Sequence, residues 1–150
     1  MIDFKKSKNG EITLVDISEY RKRLELFEAI IDEIIERSQT GAIIIVEGKR
    51  DVIALKKLGI TGHIKTSTHP PLLVFAENLA KDATQIIILT DWDRRGDILA
   101  DRITTYLQNI GITPDLDIRR RISSLVKREV KDVESLYTYM VKLKKITGQE

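Results

Sequence analysis

Two short apolar runs constrain the fold of this chain more than any other feature. Residues 42–46 and 85–90 each contain at least four consecutive apolar side chains, most of them β-branched, with no alternating polar positions. Such runs are typical of parallel strands that are covered on both faces. Helical periodicity between and around them predicts β-α-β units with right-handed crossovers. The sequence therefore indicates an α/β fold built on an open parallel sheet.

The remaining elements are predicted from hydrophobic periodicity and from the positions of glycine and proline. A long helix should begin at Ser18 and end near Arg37, with apolar residues every three or four positions. So wide an apolar face must pack either on the sheet or on a second copy of the chain, which would make a homodimer. The other predicted elements are an edge strand at 12–15, helices at 51–58, 71–80, 97–109 and 130–146, and strands at 63–65 and 115–119.

The predicted sheet therefore has about four strands with flanking helices, plus an N-terminal and a C-terminal helix. We divide the chain into an N-terminal extension (1–40), a central α/β domain (41–122) and a basic helical element (123–150). No apolar run approaches the roughly 18–20 residues that span a bilayer. Cysteine is absent, which excludes disulfides, thiolate zinc sites and a cysteine nucleophile. The N-terminus carries lysines without an apolar stretch behind them, and we expect a cytoplasmic protein without a membrane partner.

Acidic residues follow both buried runs. Glu47 comes directly after the first run, and Asp91 and Asp93 come after the second. Ligands of open parallel sheets bind beyond the carboxyl ends of the strands, so neighbouring strands would bring these three carboxylates together. Crowded carboxylates repel one another unless a cation lies among them. An oxygen-rich set with little histidine favours Mg²⁺, with Mn²⁺ as the alternative.

A simpler interpretation applies to each acid taken alone, because an acid after a strand often caps the next helix. Asp51 fits that role, and Asp97 is a second candidate for it. Trp92, between the two aspartates, is predicted to belong to the core rather than to stack on a base. His63 and His69 are predicted to be structural or solvated rather than metal ligands.

The two acidic segments resemble the signatures of Toprim domains, the catalytic fold of topoisomerases, bacterial-type primases and several nucleases. Residues 46–51 (Val-Glu-Gly-Lys-Arg-Asp) resemble the first signature, and residues 90–96 (Thr-Asp-Trp-Asp-Arg-Arg-Gly) resemble the second. A predicted helix, strand and helix separate them, as in that family. The resemblance covers about residues 41–120 and is nearest to small stand-alone archaeal and bacterial Toprim proteins and to Toprim ribonucleases.

The resemblance implies roles for individual residues. Glu47 would be the general acid or base and a ligand of one metal, while Asp91 would bridge two metals and Asp93 would hold the second. Two such ions stabilise the attacking and leaving oxygens at phosphorus. Lys49 would meet a phosphate, although a solvated lysine is an equal alternative. Gly96 would fit the turn that begins the next helix. Asp97 lies near a third acid found in some members and would be a direct or water-mediated metal ligand.

Basic residues near these segments are candidates for nucleic-acid contacts. Arg94 and Arg95 flank the acids and either bind phosphate or are solvated. Residues 119–150 contain nine Lys/Arg against four Asp/Glu. Within them Arg119, Arg120 and Arg121 directly follow the predicted fourth strand and are assigned to sequence-independent phosphate contacts.

The rest of the sequence narrows the function further. No part outside residues 41–118 fits the tyrosine-bearing domain of a topoisomerase, and the lack of cysteine excludes a primase zinc ribbon. We therefore expect a Mg²⁺-dependent protein that acts on nucleic acid, most plausibly RNA, with ribonuclease-like two-metal chemistry. If it is an enzyme, it is a nuclease or phosphotransferase. The alternative is a non-catalytic RNA-binding or scaffold protein that retains the metal site.

Overall fold

The computed structural model describes residues 14–67, 71–82 and 85–149. That part of the chain forms three strands and six helices. In chain order the elements are α1 (Leu14–Gln39), β1 (Ile43–Val46), α2 (Lys49–Lys57), β2 (His63–Thr66), α3 (Leu72–Asp82), β3 (Ile86–Ile88), α4 (Arg94–Asn109), α5 (Asp117–Val126) and α6 (Leu136–Ile146).

The strands form one open parallel sheet in the order β2-β1-β3. β1 lies in the centre, with Ile43 opposite His63 of β2 and opposite Ile86 of β3. The predicted α/β class and parallel sheet are therefore confirmed, with three strands among the described residues instead of about four. Because β1 and β3 are neighbours, their carboxyl ends lie side by side.

Successive residues of the central strands enter two separate cores, which explains why the runs lack polar alternation. Ile44 and Ile87 belong to a core that also contains the apolar faces of α1, α5 and α6. Ile43 and Ile86 belong to a second core, formed with α3 and α4 on the opposite face. Both faces of β1 and β3 are buried, as predicted.

The predicted fourth strand at residues 115–119 is wrong. Asp115 makes only an isolated parallel bridge to Ile87, and α5 begins two residues later. The reason is a helical pattern that continues beyond the predicted strand: Ile118, Ile122 and Val126 recur every four residues and are fully buried. Their burial in a helix outweighs extension of the sheet.

The two terminal helices differ from prediction at their starts. α1 already includes Leu14 and Val15, so these residues are not part of an edge strand, while positions 12 and 13 lie outside the described residues. α6 begins at Leu136, six residues later than predicted. Residues 127–135, which we call the α5–α6 connector, run between the two C-terminal helices.

The apolar face of α1 is covered within its own chain. Tyr20, Leu24, Phe27 and Ile34 are fully buried, and α1 packs on α5 and α6. Arg23 on the same helix donates a 2.8 Å hydrogen bond from Nη1 to the Tyr139 hydroxyl of α6. A homodimer through α1 stays a prediction. Within the described residues, no helix is both long and apolar enough to cross a membrane.

Candidate metal centre

Glu47 and Asp91 meet at the carboxyl edge of the sheet. Glu47 directly follows β1, and Asp91 lies three residues beyond β3, so the pairing of these strands determines their proximity. The backbone N–H of Asp91 donates a 2.8 Å hydrogen bond to Oε2 of Glu47. The Oδ1 atom of Asp91 accepts a 2.9 Å bond from the N–H of Val133. Two carboxylates from neighbouring strands therefore share one half-buried space.

The electrostatics of this pair are unfavourable for two negative charges. The pKa of Asp91 is raised to about 7, mainly by burial, with the nearby charges of Glu47 and Asp51 adding to the rise and the hydrogen bond from Val133 opposing it. Burial also raises the pKa of Asp51, whose carboxylate accepts a 3.0 Å bond from the N–H of Gly48. A proton or a cation would relieve the repulsion, and carboxylate oxygens suit a hard cation.

Asp93 and Asp97 are engaged in other contacts. Asp93 is the N-cap of α4, and its Oδ1 accepts a 2.7 Å bond from the N–H of Gly96. Asp97 is exposed and forms a 2.6 Å ion pair with Arg119. Among residues 14–67, 71–82 and 85–149, no group of three or more acidic or histidine side chains is arranged to hold a metal. Of the predicted ligands the structure brings Glu47 and Asp91 together, and the simpler cap interpretation describes Asp93 as it lies here.

A tight turn joins β3 to α4 and explains the glycine of the second signature. A Cβ atom on Gly96 would lie 1.7 Å from the carbonyl oxygen of Asp91. The fully buried Thr90 closes the same turn with a 2.8 Å bond from its hydroxyl to the carbonyl of Gly96. The backbone around Asp91 can therefore pass close to α4 only where residue 96 has no side chain.

Arg119, a residue of α5, forms hydrogen bonds to the backbone of this turn. Its Nε donates to the carbonyl of Thr90 at 2.9 Å, and its Nη2 donates to the carbonyl of Asp91 at 2.5 Å. The same Nη2 contacts Oδ1 of Asp97 at 2.6 Å, and the side chain is only 14% exposed. These contacts use the guanidinium to hold the protein backbone, a role that the position of Arg119 after a predicted strand did not suggest.

The other predicted phosphate-binding residues differ in whether acidic side chains of the protein already pair with them. Arg120 pairs with Asp117, and Arg121 pairs with Glu33 of α1 at 2.9 Å. Arg94, Arg95 and Lys49 are exposed and lie in the first turns of α4 and α2. These three cations border the strand ends, whereas Arg120 and Arg121 are held by acids on α5 and α1.

The α5–α6 connector also lies at this carboxyl edge of the sheet, and its position there was not predicted from the sequence. Besides the bond from Val133 to Asp91, the carbonyl of Val130 accepts a 2.8 Å bond from the Trp92 indole N–H. Trp92 packs partly buried against the first core, as predicted. Asp132 and Glu134 lie close enough to raise the pKa of Asp51. The segment was missed because a continuous helix was predicted from residue 130. The one sequence signal of a non-helical segment was Asp-Val-Glu at 132–134, which interrupts the predicted helix.

The fold and this edge define a class of protein: an open parallel α/β domain with carboxylates gathered at the ends of two neighbouring strands. The family model for the Toprim domain matches residues 42–125, more than half of the chain. The chain therefore belongs to the Toprim family, as the two signatures predicted.

Several relatives with similar sequences are archaeal proteins. The chain is 51% identical to a UPF0292 protein of Methanosarcina barkeri over 135 residues, which are 90% of this chain and 94% of that protein. It is 38% identical to a UPF0292 protein of Pyrococcus abyssi over 124 residues, with 83% and 91% covered. A solved structure of a protein from Aquifex aeolicus superposes with a TM-score of 0.62 at 25% identity, covering 71% of this chain and 94% of that one.

Family membership gives the function in outline. Toprim domains generally bind divalent metals such as Mg²⁺, and the family indicates a metal-dependent function connected with nucleic acid. The two relatives are named for the UPF0292 group and not for a reaction.

Proposed function

We propose that this chain is a Mg²⁺-dependent Toprim protein that acts on RNA through two-metal phosphodiester chemistry, as a ribonuclease does. The observation that carries the proposal is the contact between Glu47 and Asp91 at the carboxyl edge of the sheet. The pKa of Asp91, raised by burial to about 7 with Glu47 as a further cause, marks a place where a cation would be favourable. Perturbed carboxyls in such a position are typical of functional sites.

The proposed ligands are Glu47, Asp91 and Asp93, with Asp97 as a further direct or water-mediated ligand. When bound there, Mg²⁺ supplies Lewis-acid polarisation of a phosphodiester and activation of a water. Mn²⁺ has the same preference for oxygen ligands and would substitute for Mg²⁺.

The chain's own residues would bind the substrate and transfer protons. Glu47 is the proposed general acid or base, because its carboxylate lies at the strand end beside Asp91. Lys49, Arg94 and Arg95 are exposed around the acids and would attract the phosphates of the substrate. Arg119 fixes the backbone of Thr90 and Asp91 and so keeps the Asp91 carboxylate in place.

Cleavage assays test the catalytic part of this proposal. We expect the wild type to cleave structured or single-stranded RNA in Mg²⁺ or Mn²⁺, and Glu47→Gln to lower the rate by about 10²–10⁴-fold through loss of proton transfer. Glu36→Gln, an exposed glutamate on α1, is the matched control and should cleave like the wild type. Equal cleavage by wild type and Glu47→Gln would show that Glu47 does not take part.

The second candidate is a non-catalytic RNA-binding or scaffold protein that retains the metal site. One observation favours it: Asp93 caps α4 and Asp97 pairs with Arg119, so these two proposed ligands have structural roles that need no metal. In the same assay this candidate predicts RNA binding without cleavage in wild type and Glu47→Gln alike. If neither protein binds RNA, both candidates fail.

A further inference from the structure

The α5–α6 connector places basic side chains beside the candidate metal centre. The carbonyl of Val130 is bonded to the indole of Trp92, and the N–H of Val133 is bonded to the carboxylate of Asp91. Lys131 lies between these two anchor points. One hydrogen bond on each side of it therefore holds the backbone of this lysine at the rim of the acidic edge.

Two lysines of the connector are available to an external anion. Lys127 and Lys131 are both exposed, and neither pairs with a carboxylate in the part of the chain that the structure describes. The Nζ of Lys131 donates a 2.5 Å bond to the carbonyl of Lys127, which brings the two residues together on one side of the connector. Both lysines are thus exposed residues of the same short segment.

The acids of the connector are all engaged elsewhere. Glu129 pairs with the buried Arg23 at 3.6 Å, and Glu134 pairs with Arg50 of α2 at the same distance. Asp132 accepts a 2.9 Å bond from the N–H of Ser135. The connector has as many acidic as basic residues, but its acids are held by contacts within the protein, while Lys127 and Lys131 pair with no carboxylate among the described residues.

The arginines that follow Asp117 differ from the connector lysines in this respect. Arg119 holds the turn after β3, Arg120 pairs with Asp117, and Arg121 pairs with Glu33. A phosphate there would compete with an existing ion pair, and at Arg119 it would also compete with the bonds that hold the Asp91 backbone. Phosphate contacts at the two connector lysines require neither.

We propose that Lys127 and Lys131 form a surface that binds the sugar–phosphate backbone of RNA next to Glu47 and Asp91. The contacts are with phosphates, so this surface is independent of base sequence and sensitive to salt. The proposal rests on the proposed function in that RNA is taken as the ligand, and it names the surface that brings a phosphodiester to the acidic edge.

RNA binding by a double variant tests this surface. Fluorescence anisotropy with a fluorescein-labelled RNA hairpin, in Mg²⁺ and across a series of KCl concentrations, compares the wild type with Lys127→Gln/Lys131→Gln. We expect about tenfold weaker binding at moderate salt, and a slope of log Kd against log salt that is smaller by about 1–2. Lys22→Gln/Lys56→Gln removes the same charge from exposed lysines of α1 and α2 and should change the affinity less than about twofold.

The outcomes separate this inference from the function on which it rests. If the wild type binds RNA and the connector variant binds equally well, or if the control variant loses as much affinity, the surface is wrongly assigned. If the wild type binds no RNA, the proposed function fails and the surface fails with it. Thermal unfolding and Mg²⁺ binding should be unchanged in the connector variant, because its two side chains are exposed and ligate no metal in this account; a change in either would instead indicate a structural role.

Discussion

Replacing Gly96 with alanine is expected to lower the free energy of unfolding by about 3 kcal/mol, because overpacking against fixed backbone is strongly destabilising. The added Cβ would lie 1.7 Å from the carbonyl oxygen of Asp91 and 2.6 Å from its carbonyl carbon, and neither atom can rotate away. Alanine is favoured over glycine inside a helix by about 1 kcal/mol, which offsets only part of this cost. Urea denaturation of the metal-free protein measures the loss.

Gly48→Ala is the matched control for this substitution. Gly48 lies beside the other acid of the pair, has an extended backbone with φ −151°, and a Cβ there would meet nothing within 4 Å. We expect Gly48→Ala to change stability by less than about 0.5 kcal/mol. Equal stability of Gly96→Ala and Gly48→Ala would mean that the turn after β3 is looser than described.

Replacing Asp91 with asparagine is expected to stabilise the metal-free protein at pH 8 by about 1–2 kcal/mol, the partial exposure of the site reducing the full electrostatic effect. Asparagine removes the charge that burial and Glu47 disfavour, and its side-chain oxygen can still accept the hydrogen bond from Val133. Thermal or urea unfolding in the presence of a chelator gives the comparison.

The pH dependence of this effect has a defined sign. The pKa of Asp91 rises from 3.8 to about 7 on folding, so the folded state binds the extra proton between those values. The stability that Asp91 contributes is fully present below about pH 4 and is lost as the pH rises towards 7. The advantage of Asp91→Asn should therefore be small at pH 4 and grow up to about pH 7–8.

Asp101→Asn, an exposed position on α4, is the control and should show neither the gain nor its pH dependence. If Asp91→Asn were less stable than the wild type throughout this pH range in chelator, the Asp91 carboxylate would be favourable as an anion. It would then need no cation beside it.

The central parts of the fold could be predicted because one dominant signal determined each of them. The uninterrupted apolar runs at 42–46 and 85–90 can be buried only on two faces, and β1 and β3 are so buried. The segment at 115–119 carried two signals at once. Polar and apolar residues alternate in this segment, as they do in a strand. Ile118 also begins the four-residue spacing of α5, and the helix that buries Ile118, Ile122 and Val126 is the element that forms.

The candidate site likewise has one part that the sequence could predict and another that it could not. The meeting of Glu47 and Asp91 follows from the pairing of β1 with β3, the condition under which the sequence predicted it. The partners of Arg119 depend on where α5 lies relative to the turn after β3, and those of Asp91 depend on the connector; neither follows from local spacing. Arg119 therefore carried a prediction of phosphate binding, although its hydrogen bonds are to carbonyls and to Asp97.

The central claim is that Glu47 and Asp91 form the nucleus of a divalent metal site, and direct titration of metal tests it. Isothermal titration calorimetry with Mg²⁺, or electron paramagnetic resonance with Mn²⁺, should detect binding to the wild type and to the Glu36→Gln control at pH 8. Glu47→Gln and Asp91→Asn should weaken that binding at least about tenfold, because each removes a charged oxygen ligand. Undiminished binding in both variants, or no binding to the wild type, would contradict the account.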